Sequence, residues 1–193
     1  MALGRFTDDN DMILHMDGAR IANAAASLNL SLKEMVTDAG VDVLSFGGTK
    51  NGMMLGEAVV FLNQSLAREY EYTRKQSMQL ASKMRYISAQ FNALLSNDLW
   101  LKNAQHANDM ARKLASGLQQ IPEVTITQKV ETNAVFAIIP PAAIERLLHK
   151  YFFYTWDESR HEVRWMTAFN TTAQDVETFI QAVKAAVNPF PES

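Results

Sequence analysis

The sequence predicts an α/β unit with an at least partly parallel sheet, followed beyond about residue 120 by a smaller α+β unit. Three observations carry that expectation. Strand, helix and strand patterns succeed one another within residues 12–63. A helical pattern then dominates up to residue 121. Short strands and helices resume after Pro122. The expected organisation is a tail over residues 1–11, a large unit over 12–120 and a small unit over 121–193.

In chain order, MILHMDGA (12–19) reads as an apolar strand interrupted by His15 and Asp17. RIANAAASLN (20–29) is alanine-rich and helix-prone. SLKEMVTDAG (31–40) begins on a capping residue, Ser31, has Glu34 three positions later, and stops at Gly40. VDVLSF (41–46) and EAVVFLN (57–63) are strands. Residues 64–95 carry a helical pattern in which Met84, Ile87, Phe91, Leu94 and Leu95 share one apolar face. A further helix fits 97–121, with Asn97 or Asp98 as its cap. VTITQKV and NAVFAIIP then read as strands, PAAIERLLHKY as a short helix, FFYTWD and EVRWMTAF as strands, and TAQDVETFIQAVKAAV as a closing amphipathic helix.

Composition narrows the function. A net charge of −3 argues against a broad nucleic-acid footprint. The basic residues Arg74, Lys75, Lys83 and Arg85 lie beside Glu69 and Glu71 in a helical pattern, which reads as a solvated or interface face. The absence of cysteine excludes disulfides, thiolate metal sites and a cysteine nucleophile, and no metal site is expected. No apolar run is long enough to span a bilayer, and residues 1–10 do not form a secretory signal, so no membrane contact and a cytoplasmic location are expected.

The chemistry concentrates in SFGGTKNG (45–52), where Lys50 stands among small residues. A phosphate-binding P-loop needs a hydroxyl residue after the lysine, whereas here Thr49 precedes Lys50 and Asn51 follows it. A Schiff-base lysine is the second candidate, because flanking glycines permit close backbone approach to a ligand and the preceding apolar strand puts the loop at a sheet's edge, where open α/β sheets bind ligands. If the cofactor is pyridoxal phosphate, its ring nitrogen calls for a carboxylate partner. Asp17, near the end of an apolar strand, suits that role, and Arg20 suits a substrate carboxylate or the cofactor's phenolic oxygen. On these grounds alone an ordinary turn lysine beside an Asp17-Gly18 turn stays an equal alternative. His15, two residues before Asp17, points to the same strand face and reads either as a hydrogen-bonding neighbour or as a packed histidine. Ser45 and Thr49 are expected near the cofactor, while Met53, Met54, Trp156 and Trp165 are expected to pack a core or an interface.

HMDGARIANAA followed by DAGVDVLSFGGTKNGMMLGEAVVF closely resembles the low-specificity threonine aldolases and their relatives, the β-eliminating lyases. The resemblance continues through TRKQSMQLASKMRYISAQF to EVRWMTAFNTTAQDVETFI. It implies a pyridoxal-phosphate enzyme of the aspartate-aminotransferase fold (fold type I), represented by its C-terminal part: a partial large domain with a mostly parallel sheet, then the small domain. By position, Lys50 matches the cofactor-binding, catalytic lysine, and Asp17 matches the partner of the pyridinium nitrogen. Arg20 matches the arginine that contacts cofactor or substrate. Arg164 matches the small-domain arginine that binds the substrate α-carboxylate. The implied reaction is retro-aldol cleavage of L-threonine or allo-threonine to glycine and acetaldehyde, with β-elimination on another amino acid as the alternative.

The resemblance also implies that the first strands of the large sheet, the loop holding the cofactor phosphate and the histidine stacking on the ring lie in a part that nothing upstream of Asp17 replaces. Two readings of different class follow. The chain is either the lysine-bearing part of a lyase, active when completed by a separate N-terminal half, or a catalytically silent domain that oligomerises. A dimeric or tetrameric homo-oligomer is implied in the family.

Overall fold

The structure, a computed structural model, describes residues 2–188. The chain divides into two compact units, Met1–Asn103 and Ala104–Ser193. The division falls earlier than the expected break near residue 120. The reason is that the helix spanning Leu99–Leu118 buries Ala111, Leu114 and Leu118 in the second unit's core.

The first unit opens with α1 (Ala2–Asp9), so the residues read as a polar tail are helical. Its strands are β1 (His15–Gly18), β2 (Val43–Gly47) and β3 (Glu57–Phe61), in the order β1-β2-β3. β1 and β2 are parallel and β3 is antiparallel to β2, making the described sheet mixed. Between β1 and β2 run α2 (Ile21–Leu28) and α3 (Leu32–Met35). The expected capping box at Ser31 and Glu34 is present, although α3 lasts only four residues. The core gathers Ile21, Val36, Val41, Leu44 and Phe46, with Phe91 packed against it.

The pattern over 64–95 is not one helix. It divides into α4 (Tyr70–Gln76) and α5 (Met84–Leu95), preceded by a short turn of 3-10 helix at Gln64–Ala67. α4 stops because Met78 adopts φ 57°, which lets Met78 N–H reach Lys75 O (3.1 Å) and Gln79 N–H reach Arg74 O (3.0 Å). That pair of bonds is the helix-ending arrangement usually built on glycine. Leu94 is buried as expected on α5, but Leu95 is 51% exposed.

The second unit contains most of α6 (Leu99–Leu118), then β4 (Thr125–Ile126), β5 (Ala134–Ile138), α7 (Pro141–Leu148), β6 (Tyr154–Asp157), β7 (Glu162–Met166) and α8 (Ala173–Val187). The sheet order is β4-β5-β7-β6, with every pairing antiparallel. Strand alternation sends Val135, Ala137, Val163 and Trp165 into a core completed by α6, α7 and α8. Burying a side chain such as Leu118 or Ile139 contributes about 2–3 kcal/mol each. Phe136, Tyr154 and Arg164, paired across the strands, share the opposite sheet face.

α8 starts with a capping box in which Thr172 Oγ1 accepts from Asp175 N–H and the Asp175 carboxylate accepts from Thr172. The Thr172 hydroxyl, then its backbone N–H, hold the Asp175 carboxyl below its ordinary value of 3.8. A depressed folded-state pKa stabilises above the unfolded value and is lost as pH falls through the folded one. The stability gap between wild type and Asp175→Asn is therefore expected to narrow as pH drops below 3.8, as read by denaturant unfolding at neutral and acidic pH. No helix among the described residues is long and apolar enough to cross a membrane.

Candidate active site

Asp17 stands opposite Ser45 in the β1–β2 register. Because the two strands are parallel, both chain exits lie at one sheet end: β1 continues into Ala19-Arg20, β2 into Gly48-Thr49-Lys50. The carboxyl ends of parallel strands are where open α/β sheets bind ligands. Asp17 Oδ1 accepts from Ala19 N–H at 3.0 Å, a local bond that aims the carboxylate across the strand exit. Its second oxygen has no protein partner among the described residues. His15 is exposed rather than packed, and its Nε2 lies 2.9 Å from Ser45 Oγ. Of its two sequence readings, the hydrogen-bonding neighbour is the one the structure supports.

The glycines of the loop serve the chain's own packing. A Cβ on Gly47 would lie 2.4 Å from Ala19 O and 2.7 Å from Ala19 Cα. The end of β2 therefore touches the backbone that carries Asp17 and Arg20, and only hydrogen at this α-carbon permits it. A Cβ on Gly48 would meet Met53 Sδ at 2.3 Å and Gly56 O at 2.7 Å. At both positions the missing side chain serves a close approach within the protein itself.

Lys50 lies in a 3-10 turn, Thr49–Asn51. It is exposed and has no hydrogen bond or ion pair among the described residues. Its neighbours hold the turn instead. Thr49 Oγ1 accepts from Gly56 N–H at 3.1 Å. Asn51, 4% exposed, donates from Nδ2 to Trp100 O at 3.0 Å, and its backbone carbonyl accepts from Asn103 Nδ2 at 2.8 Å. Sequence reading assigned no role to Asn51. The available signal was a polar residue directly beside the candidate lysine, where a charged neighbour's turn needs an anchor. Asn51→Ala leaves Trp100 O without this donor and is expected to destabilise by about 1–2 kcal/mol, measured by denaturant unfolding.

Arg20 is exposed at the entry to α2 and Met53 is buried, whereas Met54 is 92% exposed. Arg164 belongs to the second unit, at the middle of β7 between β5 and β6. It is half-buried, its Nε is buried without an acceptor, and none of the ion pairs among the described residues includes it. Trp165 is in the core, as expected, whereas Trp156 is 53% exposed. Among the described residues no group of three His, Asp or Glu could hold a metal ion.

A lysine turn and an aspartate stand at the neighbouring exits of parallel strands in an α/β unit followed by an antiparallel small unit, and the chain belongs to the beta-eliminating lyase family, whose model matches residues 1–141. Among relatives, the chain is 43% identical over 176 residues to a low specificity L-threonine aldolase of Pseudomonas sp. (strain NCIMB 10558), covering 91% of this chain and 51% of that protein. It is 44% identical over 172 residues to the low specificity L-threonine aldolase of Pseudomonas aeruginosa, covering 89% of this chain and 49% of that protein. A solved threonine aldolase from Leishmania major matches with a TM-score of 0.84 at 26% identity, covering 96% of this chain and 55% of that one. The chain thus spans about half the length of the curated relatives it matches. Mouse CSAD, at 11% identity and a TM-score of 0.72, shares the fold.

Proposed function

We propose that this chain carries the lysine-bearing part of a pyridoxal-phosphate-dependent lyase that cleaves L-threonine or allo-threonine to glycine and acetaldehyde. The observation that carries the reading is the close approach of Gly47 to Ala19, which seats the Lys50 turn directly beside the strand exit holding Asp17. The donor set fits the ring nitrogen and aldehyde of pyridoxal phosphate, with the phosphate loop expected from a separate N-terminal half. Lys50 offers an exposed amine with no competing partner among the described residues, and Asp17 keeps one carboxylate oxygen for the ring nitrogen. Arg20 would reach the cofactor's oxygen or the substrate. When bound, the cofactor supplies an electron sink for the pair released as the Cα–Cβ bond breaks.

The chain's own residues then have distinct tasks. Lys50 would hold the cofactor through its amine. Asp17 would pair with the ring nitrogen and keep a proton there. Arg164 binds the substrate carboxylate in the plane of its guanidinium. The exposed apolar side chains Met54, Leu55 and Val59 support association with a second copy or a separate N-terminal half, and the unexceptional composition suits the cytoplasm. β-Elimination on a different amino acid would use the same Lys50 and Asp17.

The test adds pyridoxal phosphate to the purified chain and follows its visible absorbance, then adds glycine. The reading expects a bound-cofactor band that glycine shifts and that Asp17→Ala weakens. A spectrum identical to free pyridoxal phosphate, unchanged by glycine, would reject it.

A further inference from the structure

The uncovered face of the second unit's sheet has an unusual arrangement around Arg164. Its Cζ lies 4.7 Å from the centroid of the Trp156 ring and 5.7 Å from that of Tyr154. Trp156 in turn meets Phe136 edge-on, with centroids 5.3 Å apart. Phe136 is on β5 and Trp156 is on β6, with β7 between them. The indole therefore reaches across β7, over the arginine it carries.

Alternation already puts Trp156 on the face of Tyr154 and Arg164, and a local irregularity falls at the same residue. Thr155 pairs with Val163 and Asp157 with Glu162, so β6 advances two residues while β7 advances one. Trp156 is the extra residue, and a bulge of this kind re-aims a side chain. On this outward face Trp156 is 53% exposed. Its placement is explained by the arginine rather than by the core.

We infer that Trp156, assisted by Tyr154, is a positioning residue for Arg164: the bulged indole fixes the plane in which the guanidinium meets a small carboxylate. An aromatic face attracts the cation through the ring quadrupole without consuming its N–H donors, which lie in the guanidinium plane. Those donors remain for a carboxylate, and the half-buried charge has no carboxylate partner among the described residues. Leaving such a charge uncompensated is costly unless a ligand supplies the anion. The inference rests on the reading of Arg164 as a carboxylate-binding group and adds what holds that group in place.

The test titrates the full chain with glycine at constant ionic strength while following the Arg164 Nε–H resonance in proton–nitrogen spectra. The resonance is assigned by its loss in Arg164→Lys. Wild type is expected to show a saturable shift. Trp156→Ala should weaken the apparent glycine affinity about tenfold, and Trp156→Phe should recover most of it because a ring face remains. Trp156 is half-exposed, so the core stays intact, which thermal unfolding of each variant verifies. Equal glycine binding by wild type and Trp156→Ala would overturn the positioning role and leave the reading of Arg164 standing. An Arg164 resonance unmoved by glycine in wild type would overturn both.

Discussion

On the proposed reading, Lys50→Ala is expected to abolish any threonine cleavage and all glycine-sensitive cofactor absorbance while leaving folding stability unchanged within about 0.5 kcal/mol. The separation of the two effects follows from the surroundings of the side chain. Lys50 is exposed and takes no hydrogen bond or ion pair among the described residues, so nothing in the first unit depends on its amine. The turn it occupies is held by Thr49 and Asn51. A covalent catalyst has no substitute when its amine is removed, so the loss of turnover should be complete to the detection limit. Acetaldehyde release and denaturant unfolding on the same preparation check the two halves of the prediction. A loss of activity accompanied by an equal loss of stability would mean that Lys50 is a structural residue.

Gly47→Ala is the substitution expected to cost most stability in the first unit. The new methyl would sit 2.4 Å from Ala19 O, 2.7 Å from Ala19 Cα and 2.8 Å from Ala19 C. All three are backbone atoms, which cannot rotate aside as a side chain would. Either β2 withdraws from the β1 exit or Ala19 moves, and in each case Asp17 and the Lys50 turn lose their shared footing. Overpacking against backbone should cost about 3 kcal/mol. For a unit of this size that lowers Tm by roughly 12 °C or more. Thermal unfolding followed by circular dichroism measures it, and a Tm within a few degrees of wild type would show that the close approach is unimportant.

The neighbouring strand exits that carry the candidate residues are legible in the chain itself. Asp17 and Lys50 follow apolar strand segments, and the parallel pairing of those strands brings their exits together. The capping residues Ser31 and Thr172 follow local rules that depend on neighbours three positions away. What stayed hidden depends on contacts between distant segments. The steric need for Gly47 arises at Ala19, and the anchors of Asn51 lie at Trp100 and Asn103. Met78 ends α4 in a conformation normally given to glycine, so the continuous periodicity over 64–95 concealed a break. Trp156 reads from the sequence as a residue packing a core or an interface. Only the pairing of β6 with β7 reveals that its ring lies over Arg164.

The account stands on Lys50 and Asp17 serving one ligand, and borohydride reduction after brief exposure to pyridoxal phosphate tests that most directly. Peptide mapping then locates the pyridoxyl group on the chain. The predicted result is a label concentrated on Lys50, formed more slowly in Asp17→Asn. A label spread over exposed lysines such as Lys33 and Lys129 in proportion to their accessibility, and indifferent to Asp17, would contradict it.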